Sequence, residues 1–102
     1  MFRGYIFSRS FMGERVPQHI QNQVISTYCK KKNIDFMLSA TEYTMDNCYL
    51  MLNHVLDTLD KIDGIVFCSL FQLPEEAELR KNIIFKITNK KKSLHFSSEN
   101  FS

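Results

Sequence analysis

A short apolar run in the second half of the chain, residues 65–68 (IVFC), constrains the fold more than any other segment. Apolar side chains at every position, without alternation, are typical of a strand that is covered on both faces. Residues 63–64 (DG) form a turn signal before the run, and segments of helical periodicity lie on either side. These features predict an α/β fold in which residues 65–68 form the central strand of a parallel sheet.

Three further strands are predicted over residues 2–7, 34–38 and 93–96, which are short segments rich in apolar residues. Strands and helices then alternate as β-α-β-α-β-α-β with short connections. This order favours an open, mostly parallel four-stranded sheet, ordered 2-1-3-4, with right-handed crossovers and helices on both faces. At this length the chain is expected to form a single domain, residues 1–102.

Three helices are predicted between the strands. Val16 and Pro17 begin the first, because proline is tolerated in a first helical turn, and Asn33 tolerates the left-handed conformation at its end. Asp46 is the predicted N-cap of a second helix over residues 47–61, and Glu75 and Glu76 follow Pro74 at the start of the third. The residues predicted to face the core are Ile20, Val24, Ile25 and Tyr28, then Cys48, Leu52, Val55, Leu56 and Leu59, and finally Leu79, Ile83, Ile84 and Ile87.

Charge and composition argue against several classes of function. The formal net charge is +2, whereas nucleic-acid-binding domains carry a strong basic stripe, so no DNA partner is expected. No apolar run approaches the ~20 residues of a transmembrane helix, and the first residues lead straight into a strand. We therefore expect no membrane segment or signal peptide, and a cytoplasmic location. The three cysteines and three histidines are widely dispersed, which indicates reduced thiols and predicts no metal site and no cofactor.

Three segments occur in the same order as motifs of a known family. Residues 4–6 (GYI) resemble the opening of its first strand, residues 20–33 its first helix, and residues 63–67 (DGIVF) its third strand. The family is that of the serine recombinases, whose resolvase/invertase catalytic domain the chain resembles over most of residues 4–100. The resemblance implies a resolvase-like fold.

The catalytic positions of the recombinases are replaced in this chain. Where the family has an arginine two residues before its serine nucleophile, this chain has Phe7 and Arg9. Where the family has Leu-Asp-Arg-Leu-Gly-Arg after its third strand, residues 70–75 read LFQLPE. Phosphoryl transfer to a serine requires positive charge around the phosphate, so recombinase activity is expected to be absent.

Longer runs resemble a second family. They are residues 4–9 (GYIFSR), 11–19 (FMGERVPQH), 39–43 (SATEY) and 69–74 (SLFQLP). They are similar to the small "sporadic carbohydrate cluster" proteins, which are encoded beside surface-polysaccharide biosynthesis genes in scattered bacteria. The resemblance covers nearly the whole chain. It implies a bacterial protein linked to carbohydrate biosynthesis, without assigning it an activity.

Polar loops follow the first three predicted strands. The carboxyl ends of neighbouring parallel strands form the crevice in which open α/β sheets bind ligands. Arg9 and Arg15 suit a phosphate or carboxylate, and the helix after Pro17 offers free N–H groups. We therefore expect Arg9, Arg15 and Gln72 to converge on one crevice that binds an anion. The candidate site residues are Arg9, Ser10, Arg15, Gln18, His19, Glu42, Tyr43, Ser69 and Gln72.

The candidate roles follow from residue type. Glu42 is suited to act as a base or to orient a hydroxyl, and Tyr43, Ser69 and Gln72 are suited to contact hydroxyls. Two functions are compatible with such a crevice. The first is a non-catalytic binding or assembly module that binds an anionic sugar, and the second is a small enzyme acting on a sugar phosphate or nucleotide sugar.

A structural interpretation of the same residues competes with both functions. Arg15 then pairs with Glu14 or Glu42 and holds its loop. Apolar side chains of these loops then form a homodimer contact rather than a ligand wall. They are Phe11, Met12 and Phe71.

Overall fold

The computed structural model describes residues 1–11, 13 and 15–97. Within them, four parallel strands form one sheet in the order β2-β1-β3-β4. The strands are β1 (Phe2–Phe7), β2 (Phe36–Glu42), β3 (Gly64–Phe67) and β4 (Ser93–Phe96). The helices are α1 (Gln18–Lys31), α2 (Leu50–Asp57) and α3 (Ala77–Asn89), with short 3-10 turns over Leu59–Lys61 and Leu70–Gln72. The predicted α/β class, parallel sheet and strand order are confirmed.

Helices cover both faces of the sheet. On one face, the Tyr28 hydroxyl of α1 lies 2.8 Å from His95 Nδ1 in β4, and the His95 ring contacts Phe2 of β1. On the other face, the Tyr5 ring packs edge-on against Phe67, and α2 and α3 contact each other. This distribution follows from right-handed crossovers, because the first crossover runs in the opposite direction to the other two.

Strand β3 lies inside the sheet, between β1 and β4, and all four of its residues are buried. The apolar run therefore forms an inner strand as predicted. The strand begins and ends one residue before the predicted bounds of 65–68. Ile65 and Phe67 belong with Tyr5 to the buried core, which also includes Leu52 of α2 and Leu59 of the following turn.

Strand β2 differs most from its prediction over residues 34–38, because it continues to Glu42. Its pairing with β1 contains a β-bulge, in which Leu38 and Ser39 share the position opposite Gly4. A Cβ atom on residue 4 would lie 2.2 Å from Ser39 Oγ, so a larger residue beneath the bulge would force the Ser39 hydroxyl to move. The bulge leaves Leu38 90% exposed and Glu42 buried. The polar residues that predict a loop after this strand therefore belong to it as far as Glu42.

The helix boundaries and buried faces require three corrections. Asp46 does not cap α2, which begins four residues later at Leu50. Ile20 and Leu79 are predicted to face the core but are 38% and 48% exposed. In α1 the buried stripe is formed by three residues at i, i+4 and i+8, namely Gln21, Ile25 and Cys29, of which only Ile25 is predicted to face the core. The left-handed Asn33 at the end of α1 is confirmed, with φ of 57°.

Candidate functional site

Two buried glutamine side chains join β1 and β3 where the two strands diverge. Gln21 of α1 accepts a hydrogen bond from the Phe7 N–H and donates one to the Phe7 carbonyl, both at 2.8 Å. Gln72 donates to Gln21 Oε1 at 2.9 Å and accepts from the Cys68 N–H at 2.9 Å. Both side chains are fully buried. The space between the carboxyl ends of β1 and β3, the switch point where the chain order of the strands reverses, is therefore occupied by the protein's own amide groups. Gln72 faces the interior rather than a crevice.

Ser69 is also part of this internal network. It is fully buried, and its hydroxyl accepts a hydrogen bond from the Phe71 N–H at 3.2 Å. Gln72 Oε1 in turn accepts from the Ser69 N–H at 3.4 Å, which completes a capping box around the short turn after β3. The two polar residues that the sequence assigns to ligand hydroxyls here instead order the loop.

Glu42 is a buried carboxylate that the protein uses as a remote helix cap. Its Oε1 accepts hydrogen bonds from the Tyr5 hydroxyl at 2.7 Å and the Leu52 N–H at 3.0 Å. Its Oε2 accepts from the Met51 N–H at 3.0 Å and the Tyr43 N–H at 3.2 Å. A negative charge at the first turn of α2 is stabilised by the helix dipole. Glu42 of β2 thus caps the N-terminus of α2, the role that the sequence assigns to Asp46.

The Tyr5 hydroxyl is held in its neutral form by this arrangement. Burial and the hydrogen bond to Glu42 raise the pKa of Tyr5 well above its ordinary value of 10.0. Below about pH 10 the resulting stabilisation is fully present. Above that pH the unfolded chain releases the phenolic proton while the folded chain retains it, so the stability is lost as pH rises.

We expect the free energy of unfolding to fall with pH above about pH 10, by about 1.4 kcal/mol per pH unit, through Tyr5 alone. Urea unfolding of the wild type and of Tyr5→Phe at about pH 9 and pH 11 isolates this contribution, because the other tyrosines are common to both proteins. A parallel decline of the two proteins with pH would contradict it.

Arg9 organises the segment between β2 and α2. Its Nη1 donates to the carbonyls of Tyr43 at 2.9 Å, Met45 at 3.0 Å and Cys48 at 2.9 Å. The guanidinium lies 4.2 Å from the centre of the Phe7 ring, at cation–π distance. Its Nη2 is buried and has no hydrogen-bond partner among the described residues. Arg9 therefore holds the segment between β2 and α2 in place, a role that the sequence does not suggest. Its Nη2 remains without a hydrogen-bond partner among the described residues.

A crevice of about 810 Å³ opens beside Arg9, at the carboxyl edge of the sheet on the side of α2 and α3. Arg80 of α3 also lines it, with Nη1 donating to the carbonyls of Pro74 at 3.2 Å and Glu75 at 3.0 Å. Aromatic rings, two arginines and two carboxylates share the lining. The residues are Phe7, Arg9, Ser10, Phe11, Gly13, Asp46, Asn47, Tyr49, Leu70, Phe71, Leu73, Pro74, Glu75 and Arg80.

The crevice contains few of the residues assigned to it from the sequence. Arg9 and Ser10 line it, whereas Arg15, Gln18 and His19 are exposed outside its lining. The other assigned residues lie elsewhere: Tyr43 is 52% exposed and lies outside the lining, and Glu42, Ser69 and Gln72 are buried. The predicted convergence of Arg9, Arg15 and Gln72 on one crevice is therefore wrong.

The structural interpretation predicts an ion pair of Arg15 and an apolar patch, and the described residues test only part of it. Arg15 is exposed and Glu42 is buried among other partners, so the described residues contain no ion pair between them. Phe11 is buried and Phe71 is 46% exposed, and both line the crevice. Its third member, Met12, and the other suggested partner of Arg15, Glu14, lie outside the described residues.

Sequence reasoning missed Arg80, Tyr49 and Glu75 as lining residues. The start of α3 was a usable signal, because helices that follow parallel strands begin at the same edge as the loops. Arg80 lies in the first turns of that helix. Metal binding has no comparable support, since the described residues hold no group of three acidic, histidine or cysteine side chains suited to an ion.

Comparisons with known proteins add no family to this geometry. No protein-family model, no curated protein and no solved structure matches the chain. Among the described residues, no helix has both the length and the apolar character needed to cross a bilayer. The class is thus defined by the fold and the crevice alone: a small parallel α/β domain with an arginine-containing cleft at the carboxyl edge of its sheet.

Proposed function

We propose that the protein is a non-catalytic binding module for an anionic sugar, and that the ligand occupies the crevice between Arg9 and Arg80. The observation that carries the proposal is the presence of both guanidinium groups, beside aromatic rings, in one cleft of about 810 Å³. That size lies within the roughly 300–1,000 Å³ of small-molecule sites. The resemblance to proteins encoded beside surface-polysaccharide genes supports a ligand from carbohydrate biosynthesis.

The two arginines favour an anionic group on the ligand. Each guanidinium is fixed by hydrogen bonds from its Nη1 to backbone carbonyls, so little side-chain entropy remains to be lost on binding. The unpaired Nη2 of Arg9 is the kind of exception among buried donors that calls for an explanation. A phosphate or carboxylate oxygen is the acceptor best suited to it, and contact with the buried Nη2 requires the lining of the crevice to open around Arg9.

The remaining lining favours a sugar over a simple anion. Asp46 and Glu75 line the same crevice, and their carboxylates would repel a bare phosphate but accept hydrogen bonds from hydroxyls. Phe71 is 46% exposed and offers a ring face to the apolar side of a pyranose. A ligand with hydroxyls at one end and a negative charge at the other satisfies both parts of the lining.

Binding without catalysis is supported by how the polar residues of this edge are used. Glu42 and Ser69 accept hydrogen bonds from protein groups, and Gln72 both donates to and accepts from them, so all three are engaged inside the fold. None of them reaches the crevice in this arrangement. Glu42, the general base that the sequence suggests, is thus held away from the ligand.

We expect glucose 1-phosphate to bind in the crevice and Arg80→Gln to weaken it at least tenfold, as removal of a charged hydrogen bond costs about 1.5–3 kcal/mol. Chemical-shift titration of the labelled protein measures both the affinity and the affected residues. Phe71→Ala is a second variant in the crevice, and Arg15→Gln is the matched control because Arg15 is exposed outside it.

The titration separates the alternatives. Equal loss of affinity in Arg15→Gln, or no shift at millimolar ligand, contradicts the proposal. Tighter binding of inorganic phosphate than of the sugar phosphate contradicts the assignment of a sugar. Release of phosphate during the titration identifies a small enzyme instead of a binding module.

A further inference from the structure

The outer face of α3 exposes two large apolar side chains. The helix buries Ile83 and Ile87 against the sheet. Beside this buried stripe Leu79 is 48% exposed and Phe85 is 64% exposed, with the exposed Asn82 between them in the sequence. Scattered apolar residues are ordinary on a protein surface, but two on one helical stripe, beside an apolar groove, form a patch that is typical of an interface.

The groove lies between α2 and α3 and has a volume of about 600 Å³. Its lining is largely apolar and includes Leu50, Leu79, Ile83 and Phe85. Leu50 is itself 61% exposed. The stripe on α3 and the groove beside it therefore form one continuous surface, which we name the α3 face.

The α3 face is arranged symmetrically about Asn82. Leu79 lies three residues before it and Phe85 three residues after it, while Glu78 and Lys86 lie four residues before and after it. Each of the other four lies three or four residues from Asn82, so all five fall on a strip of the helix surface that is centred on Asn82 and extends about 60° to either side. All five are exposed. Reversing the direction of the helix exchanges the apolar residues with each other and the acidic residue with the basic one.

We infer from this pattern that the protein forms a homodimer in which α3 packs antiparallel against α3 of a second copy, about a two-fold axis at Asn82. In that arrangement Leu79 contacts Phe85 of the second copy, and Glu78 faces Lys86 of the second copy. The interface is isologous, so each contact occurs twice. Phe85 then enters the groove beside Leu79 on the other copy.

Charge complementarity identifies the occupant as a second copy and fixes its orientation. A parallel arrangement of the two helices would bring Glu78 against Glu78 and Lys86 against Lys86, which is unfavourable. The antiparallel arrangement alone pairs opposite charges and apolar side chains at once. A second copy carries the same five residues, so it presents the apolar and charged side chains that complement this stripe.

The area sets the strength of the dimer. The 13 residues of α3 extend about 20 Å at 1.5 Å per residue, and two adjacent helices are about 20 Å wide, which outlines roughly 400 Å² per copy. Stable interfaces bury about 800 Å² per partner. We therefore expect a concentration-dependent dimer with a dissociation constant in the micromolar range.

Sedimentation equilibrium between about 1 and 500 µM tests the dimer. We expect Phe85→Ser to raise the dissociation constant more than tenfold. Leu38→Ser is the matched control, because Leu38 is 90% exposed on β2, at the far edge of the sheet. A wild type that is monomeric over the whole range overturns the inference, as does a dimer that survives Phe85→Ser or dissociates in Leu38→Ser.

A charge exchange tests the antiparallel orientation. Glu78→Lys and Lys86→Glu are each expected to raise the dissociation constant several-fold, and the double variant to restore it to within about threefold. Both exchanges oppose the helix dipole, so thermal unfolding at low concentration measures their effect on the monomer separately. Failure of the double variant to restore association, in a monomer that is still folded, overturns the antiparallel pairing.

Discussion

Glu42→Ala is expected to lower the free energy of unfolding by about 3–5 kcal/mol, a large part of the roughly 5–15 kcal/mol that stabilises a domain of this kind. The substitution removes the acceptor for the buried Tyr5 hydroxyl and for the Met51 and Leu52 N–H groups at the start of α2. Tyr5 and Leu52 are fully buried, so the desolvation of their donors is left uncompensated. Thermal unfolding measures the loss, which is expected to exceed about 10 °C.

Two further variants separate the charge of Glu42 from its shape. Glu42→Gln keeps one oxygen acceptor but turns an N–H₂ group toward backbone donors, so we expect an intermediate loss of about 1.5–3 kcal/mol. Asp46→Ala removes the residue that the sequence assigns as the helix cap. It is exposed, and the change is expected to stay within about 0.5 kcal/mol. A larger effect at Asp46 than at Glu42 would show that the remote cap has been misassigned.

Local patterns in the sequence were enough to predict the order of elements and the inner position of β3. An unbroken apolar run needs cover on both faces, and helices joined by short connections supply it. The full length of strand β2 was not predicted, because at its bulge an apolar residue is exposed and further along a charged residue is buried. Leu38 is ejected into solvent, while the charged Glu42 is buried where the N–H groups of α2 and the Tyr5 hydroxyl satisfy it. Apart from the adjacent Tyr43 N–H, the partners described above lie nine or more residues away in the sequence.

The sequence predicts those site residues whose place follows from their position after a strand. It does not predict the residues whose burial depends on a hydrogen-bond partner elsewhere in the chain. Ser10 and Arg9 line the crevice because they follow β1 directly. Gln72 carries an ordinary polar side chain whose burial depends on Gln21, 51 residues earlier in the chain. Arg80 lies within α3 and so escapes a search confined to loops. The crevice is therefore displaced from the switch point toward α2 and α3.

The second large effect is expected at the glutamine pair. Gln21→Leu leaves the buried Phe7 N–H and carbonyl, the buried Gln72 amide and the partly buried Val16 carbonyl without their partner. Each lost partner of a buried polar group costs about 1–3 kcal/mol, and partial relaxation limits the sum, so we expect a loss of about 3–4 kcal/mol. Gln23→Leu is the matched control in the same helix, because Gln23 is exposed and is expected to change stability by less than about 0.5 kcal/mol.

Coupling between the two glutamines distinguishes a pair from two independent buried residues. After Gln21→Leu, the Gln72 Nε2 donor is orphaned, and Gln72→Leu then removes that orphan as well as the acceptor for the Cys68 N–H. The double variant is therefore expected to lose about 1–2 kcal/mol less than the sum of the two single losses. Urea unfolding of the wild type, both single variants and the double variant measures this difference. Strict additivity would mean that β1 and β3 are held together at their carboxyl ends without the Gln21–Gln72 hydrogen bond.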